Sequence, residues 1–207
     1  MIFSYNKQQV GDVLLVILTN TNDEKVQVER CGKIARVFNP ETNEVRAWNI
    51  FDISKLFPIS GRGQVFLTDD EIAVLNAEME KEGFAERLEN DQDPKLVVAQ
   101  IREIQDHPDS DHLHICQVEI QDGQVVQIVC GAPNASLGLK TVAALPGAMM
   151  PDGSLIFPGS LRGVESFGML CSPRELALPN APQKRGIIEL DAEIEVGQAF
   201  DPKRHWK

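Results

Sequence analysis

The residues with the most chemical content lie late in the chain. Leu161-Arg162-Gly163-Val164-Glu165-Ser166-Phe167-Gly168-Met169-Leu170-Cys171-Ser172 brings together two glycines, two serines, an arginine and a methionine. Glycine permits positive φ and lets a ligand approach the backbone. Hydroxyls and backbone amides hold phosphate oxygens, and an arginine supplies a planar fork for them. The alternative is an irregular, bulged barrel strand. In Val129-Cys130-Gly131-Ala132-Pro133-Asn134, Asn134 either pairs with a base edge or closes an Asx turn. A third segment, His107-Pro108-Asp109-Ser110-Asp111-His112-Leu113-His114, invites a metal. Its spacing matches no closed zinc pattern, and no Cys-x-x-Cys pair accompanies it. A solvated loop with one histidine packed at the start of a strand is the expectation. Cys130 or Cys171 would need a histidine partner to act as a nucleophile, and small buried cysteines are the other reading. There is no Walker loop and no GxGxxG. No catalytic residue, metal or cofactor is expected.

These segments need a scaffold. Leu96 to Ile104, His114 to Ile120, Val125 to Val129, Thr141 to Ala144 and Leu155 to Phe157 read as short strands, with a later one at Gly186 to Leu190. A turn signal separates them, such as Asp122-Gly123, Pro146-Gly147 and Pro158-Gly159, which suggests a small barrel. The first half reads differently. Val13 to Leu18 is a continuous apolar run, consistent with a strand buried on both faces. Thr19-Asn20-Thr21-Asn22-Asp23 is turn chemistry. Ile34 to Phe38 and Val45 to Ile50 flank Asn39-Pro40-Glu41-Thr42-Asn43 as a hairpin. Thr68-Asp69-Asp70-Glu71 is a capping box, followed by Ile72, Leu75, Met79 and Leu88 at helical spacing, with Gly83 ending or interrupting the helix. Asn90 to Pro94 reads as a linker. The prediction is an acidic α+β domain over 1–90 and an all-β barrel over 95–201.

Charge limits the function. Lys plus Arg total 20 against 31 Asp plus Glu, a net charge of −11, with the acid concentrated in the first half. A basic protein that coats phosphates by bulk charge is excluded; a nucleic-acid site here must be a local patch. Four scattered cysteines make no disulfide framework. The longest apolar run falls far short of the roughly 20 residues of a membrane span. The start, Met1 to Lys7, lacks the basic-then-apolar order of a secretion signal. A cytoplasmic chain with no membrane partner is expected.

Four words taken in order carry a resemblance: His107-Pro108-x-x-Asp111-x-Leu113, Ile128 to Asn134, Ala144-Leu145-Pro146-Gly147-Ala148, and Leu161 to Ser172. Together they resemble the EMAP-type tRNA-binding domain over about residues 95–200. That module is found near the start of the bacterial phenylalanyl-tRNA synthetase beta chain, at the end of many methionyl-tRNA synthetases, and in free-standing proteins. A short acidic first domain joined to one such module resembles the YtpR group. The resemblance implies an OB-fold barrel that binds tRNA by shape, without catalysis. This suits RNA, whose deep, narrow major groove is hard to read. It nominates Asn134, Lys140, Arg162, Ser166, Met169 and Ser172 as contacts. Arg162 would pair with phosphate, Ser166 and Ser172 would bond backbone oxygens, and Met169 would pack on a base or ribose. A positive strip around Lys140 and Arg162 is expected. Free-standing relatives tend to be dimers, which implies a homodimer placing two modules on one tRNA. The chain departs from the lysine-rich relatives at Asp109 and over Ser154 to Ser160, so fewer phosphate contacts and weak or partner-assisted binding are expected. The alternative is a protein-interaction module that keeps the barrel and has lost most RNA affinity.

Overall fold

The computed structural model describes residues 1–21 and 24–206; Asn22 and Asp23 of the expected turn, and the final lysine, lie outside them. The chain divides into two compact units, Met1–Asp93 and Pro94–Lys207.

The first unit is a six-stranded antiparallel sheet in the order β3-β4-β5-β2-β1-β6. Its strands are β1 (Ile2–Tyr5), β2 (Val13–Ile17), β3 (Gln27–Cys31), β4 (Ile34–Phe38), β5 (Val45–Phe51) and β6 (Gly63–Val65). An α-helix, α1 (Asp69–Lys81), follows. The unit is therefore mostly β rather than the expected α+β. Leu14 and Val16 of β2 are buried and pack in one cluster with Trp48, Ile50, Ile72, Leu75 and Met79. Val13, Leu15 and Ile17 are only half-buried. The continuous apolar run thus marks a central strand with one packed face, not two.

The β4–β5 hairpin forms as expected, its turn held by Asn39 Oδ1, which accepts from Glu41 N at 2.8 Å. The capping box also forms: Thr68 Oγ1 accepts from Glu71 N (3.3 Å), and Glu71 Oε2 accepts from Thr68 N (2.7 Å). Leu88 departs from the helical reading. The helix ends at Lys81 and the chain turns at Gly83, which takes φ +91°. Leu88 still reaches the core, because the Asn76 amide donates to Leu88 O (2.9 Å) and accepts from Leu88 N (2.7 Å).

The second unit is all β apart from one short turn of helix. Its sheet runs β13-β10-β7-β8-β9, with β7 (Leu96–Asp106), β8 (His114–Gln121), β9 (Gln124–Cys130), β10 (Lys140–Ala144) and β13 (Met169–Leu170). A separate ribbon joins β11 (Gly159–Leu161) to β12 (Val164–Ser166). The sheet curls into a half-barrel, because the segment entering β13 meets the far edge strand: Phe167 N donates to Gln127 O of β9 at 2.8 Å. Alternating apolar residues of β7, β8 and β9 fill the interior, among them Ile101, Val118 and Ile128. Leu155 to Phe157 is not a strand; it makes an isolated bridge, Met149 to Leu155. Gly186 to Leu190 is not one either. It lies alongside the sheet through Ile188 N to Cys171 O (2.8 Å) and Leu190 N to Lys140 O (2.9 Å). The helical turn α2 (Pro202–His205) comes last.

Candidate nucleic-acid interface

The seam of the half-barrel shapes the site. Ser166 is buried, and its hydroxyl accepts from Val129 N (3.1 Å) and donates to Gly168 O (3.1 Å). The side chain replaces a missing backbone partner where the two edges meet. Gly168 sits at φ +149°, and a Cβ there would lie 2.7 Å from Ala144 O and 3.2 Å from Ile128 Cδ1. The close approach of β10 and β9 at this point requires glycine.

Beside the seam lies a cleft of about 270 Å³ between the end of β9 and β13, lined by Cys130, Pro133, Met169, Ser172, Arg174 and Arg185, among others. Ser172 begins a tight turn built like a second capping box. Its Oγ accepts from Glu175 N (3.2 Å), and Glu175 Oε2 accepts from Ser172 N (2.7 Å). A depression of about 510 Å³ shares Ser172, Arg174 and Glu175 with this cleft, and one of about 200 Å³ shares Arg185. The three adjoin through these shared walls and together make the groove. In this unit Arg102 pairs with Glu119 and Arg204 with Asp201, and the rings of His112 and His114 lie against Asp111 and Asp106. Arg174, Lys184 and Arg185 take part in none of these, and all three are exposed. Two carboxylates near the groove have partners of their own: Glu175 on Ser172 N, and Glu189 on Asn134 Nδ2 at 2.8 Å. Among the described residues, the groove therefore presents three cations without an ion pair beside a half-buried thioether, Met169.

Of the residues nominated by sequence, Met169 and Ser172 line this groove. Arg162 is elsewhere, at the exposed tip of the β11–β12 ribbon, with φ +45°. Its Nη1 donates to Asp109 O at 2.8 Å. His107 braces the same tip. Its Nδ1 accepts from Asp109 N (3.1 Å), so the ring proton sits on Nε2, 3.2 Å from Leu161 O. One histidine of the loop is packed, as expected, but it is His107 just past the end of β7 and not a histidine at the start of a strand; His114, which opens β8, is half-buried. Asn134 works as a clip: its amide accepts from Ile187 N (2.9 Å) and donates to Ile187 O (3.0 Å), pinning the Gly186–Leu190 segment. Lys140 Nζ donates to Ala192 O and Ile194 O, both at 2.6 Å. Its charge is held against backbone carbonyls, and neither Lys140 nor Arg162 lines the groove that carries Arg174, Lys184 and Arg185. Sequence reasoning did not single out those three cations. Their signal was the Arg174 that follows Pro173 and the Lys184-Arg185 pair, which read as ordinary surface charge without the fold that joins them.

The histidine loop holds no metal cluster: no group of three His, Cys, Asp or Glu side chains gathers among the described residues. No helix among them is long and apolar enough to cross a membrane. The thiols are poorly placed for nucleophilic work. Burial pushes Cys116 and Cys171 up to about 12 and also raises Cys130, away from the reactive thiolate. Cys31 alone is exposed. A thiol-specific disulfide reagent is therefore expected to titrate one cysteine quickly in the native chain and the other three only after unfolding. Fast modification of a second thiol would contradict this burial.

Comparison with known proteins agrees with the division of the chain. Residues 96–199 match the family model described as "Putative tRNA binding domain", and residues 21–91 match a domain of unknown function, DUF4479. The protein named "Putative tRNA-binding protein YtpR" from Bacillus subtilis (strain 168) is 41% identical over 196 residues, covering 95% of this chain and 97% of that protein. The phenylalanine–tRNA ligase beta subunit of Dechloromonas aromatica (strain RCB) is 45% identical over 105 residues, which is 51% of this chain and 13% of the subunit. That of Sulfurimonas denitrificans is 50% identical over 100 residues, covering 48% of this chain and 12% of the subunit. The second unit is thus a module that the synthetase subunits also carry. The chain as a whole belongs to the YtpR family.

Proposed function

We propose that this chain is a non-catalytic tRNA-binding protein whose second unit is an OB-fold barrel that grips tRNA by shape along the Met169–Arg185 groove. The observation that carries the reading is the cluster of unpaired cations, Arg174, Lys184 and Arg185, around one groove of a chain with net charge −11. Range explains how an acidic molecule can hold a polyanion. At 0.1 M salt the screening length is about 10 Å, so distant carboxylates are damped while cations touching phosphate are not. In this reading Arg174 and Arg185 take phosphates, Ser172 and the ribbon-tip Arg162 add polar contacts, and Met169 packs on a base or ribose. Asn134, Lys140 and Ser166 act indirectly, by fixing the groove walls. Such a protein would work in the cytoplasm, and as a homodimer it would set two grooves on one tRNA. The catalytic alternative is weakened by buried, protonated thiols that offer no nucleophile to the groove.

Fluorescence anisotropy with bulk tRNA over a salt series tests this reading. Binding that weakens with salt, with a log–log slope of about 2–3.6 for three to four phosphate contacts, is expected. Binding with no preference for tRNA over a DNA duplex at low salt would overturn the reading. The protein-interaction alternative would gain if a partner were captured through residues 1–93 by ribonuclease-treated chain that does not bind tRNA.

A further inference from the structure

The segment after Gln198 returns along the second unit and ends beside the groove. Phe200 N donates to Leu96 O (2.9 Å), Asp201 Oδ1 caps α2 through Lys203 N (3.0 Å), and Asp201 N donates to His205 Nδ1 (3.1 Å). The rings of Phe200 and His205 lie 5.7 Å apart. These contacts deliver Trp206, whose Nε1 donates to Pro179 O at 2.7 Å. The indole is half-buried. It packs on the apolar cluster that includes Leu178 and Ile188, and it lines the depression of about 200 Å³ with Pro173, Pro182, Lys184 and Arg185.

We infer that this depression is a subsite for one unstacked base of a single-stranded RNA segment, with Trp206 as the stacking platform and Lys184 and Arg185 on the flanking phosphates. The inference rests on the RNA-binding reading above and extends it to a second point along the groove. Size favours a single ring system, since pockets for drug-sized ligands run to roughly 300–1,000 Å³. The indole N–H already has its partner, so the ring is oriented before a ligand arrives and little ordering is needed on binding. Aromatic stacking tolerates any base, because every base has a π-face. The bases of a duplex have their faces covered by neighbours, so the platform selects unpaired segments. The one carboxylate lining the depression, Glu189, is engaged by Asn134, which reduces its repulsion of a phosphate.

Trp206 emission in the full chain reports the event directly. The other tryptophan, Trp48, is buried in the first unit at 1% exposure. Saturable quenching is expected with a short unstructured oligoribonucleotide and with bulk tRNA, and none with a short RNA duplex. Trp206→Leu should remove the quenching and weaken oligonucleotide binding about tenfold, the loss of one base–aromatic stack, while Trp206→Phe restores most of the affinity. Lys184→Ala, at an exposed side chain whose loss leaves the core intact, should weaken binding while keeping the quenching at saturation. The inference is overturned if tRNA binds with unchanged emission, or if a folded Trp206→Leu chain binds the oligonucleotide as tightly as the parent; the tRNA reading would survive either result. If the oligonucleotide quenches Trp206 but tRNA does not bind, the subsite stands and the tRNA reading falls.

Discussion

Gly168→Ala is expected to destabilise the second unit by about 3 kcal/mol or more. Two costs add at this position. The backbone at φ +149° is a conformation that residues with a Cβ rarely adopt. The new methyl would also lie 2.7 Å from Ala144 O, a backbone atom that cannot move without disturbing β10. Domains of this size are stable by only about 5–15 kcal/mol, so the loss is a large share of the total. Urea unfolding followed by amide exchange at β9 and β10 should show the midpoint falling sharply while amides of β2 and β5 keep theirs. A change below about 0.5 kcal/mol, the ordinary scale of a surface substitution, would mean that the seam relaxes in a way the geometry does not suggest.

The second large effect concerns binding. Arg174→Ala combined with Arg185→Ala should weaken tRNA binding at least about a hundredfold at low salt, since each hydrogen bond to a charged group contributes about 1.5–3 kcal/mol. Both side chains are exposed and neither holds another element in place, so the fold should be unaffected. The diagnostic quantity is the salt dependence. Losing two phosphate contacts should lower the log–log slope by about 1.4–1.8. Lys81→Ala in the first unit is the control, because Lys81 is paired with Glu78 on α1 and lies outside the groove. A weaker affinity with an unchanged slope would show that the two arginines act through structure rather than through phosphate.

The sequence was most legible where local chemistry decides the outcome. The Thr68–Glu71 capping box and the Asn39 turn need only their own neighbours, and both formed as expected. Apolar runs located the strands β7 to β10 for the same reason. Two of the misreadings arose where one side chain stands in for backbone. Asn76 holds Leu88 in the core without a helix, and Asn134 holds Ile187 beside the sheet without a strand. In both cases the apolar spacing was real, but a distant amide rather than secondary structure positioned the residue. The same limit applies to the site. Asn134, Lys140 and Ser166 drew notice for their polar atoms, yet each has partners inside the unit that are distant in sequence: Ile187 for Asn134, Ile194 for Lys140 and Val129 for Ser166. The groove cations are separated by loops, and only the returning segment from Ser172 to Ile187 brings Arg174 and Arg185 to one cleft. Pairing over that distance is a tertiary fact that composition and periodicity do not encode.

The first unit carries just over half of the acid, and its two most buried arginines are engaged. The Arg36 guanidinium is buried against Glu86 at 2.9 Å, donates to Asn43 O at 2.9 Å and stacks over Phe38. Arg46 is likewise paired, with Glu24 at 2.8 Å and Glu44 at 3.2 Å. Arg36 and Arg46 are thus neutralised within their own unit, whereas Arg174, Lys184 and Arg185 are exposed and make no ion pair among the described residues.

Hydrogen–deuterium exchange of the full chain with and without saturating tRNA tests this contrast most directly. Slowed exchange is expected over residues 129–134, 169–176 and 184–189, the walls of the groove, with residues 1–93 unchanged. Slowing confined to residues 1–93, or no change anywhere at saturation, would contradict the placement of the RNA interface on the second unit.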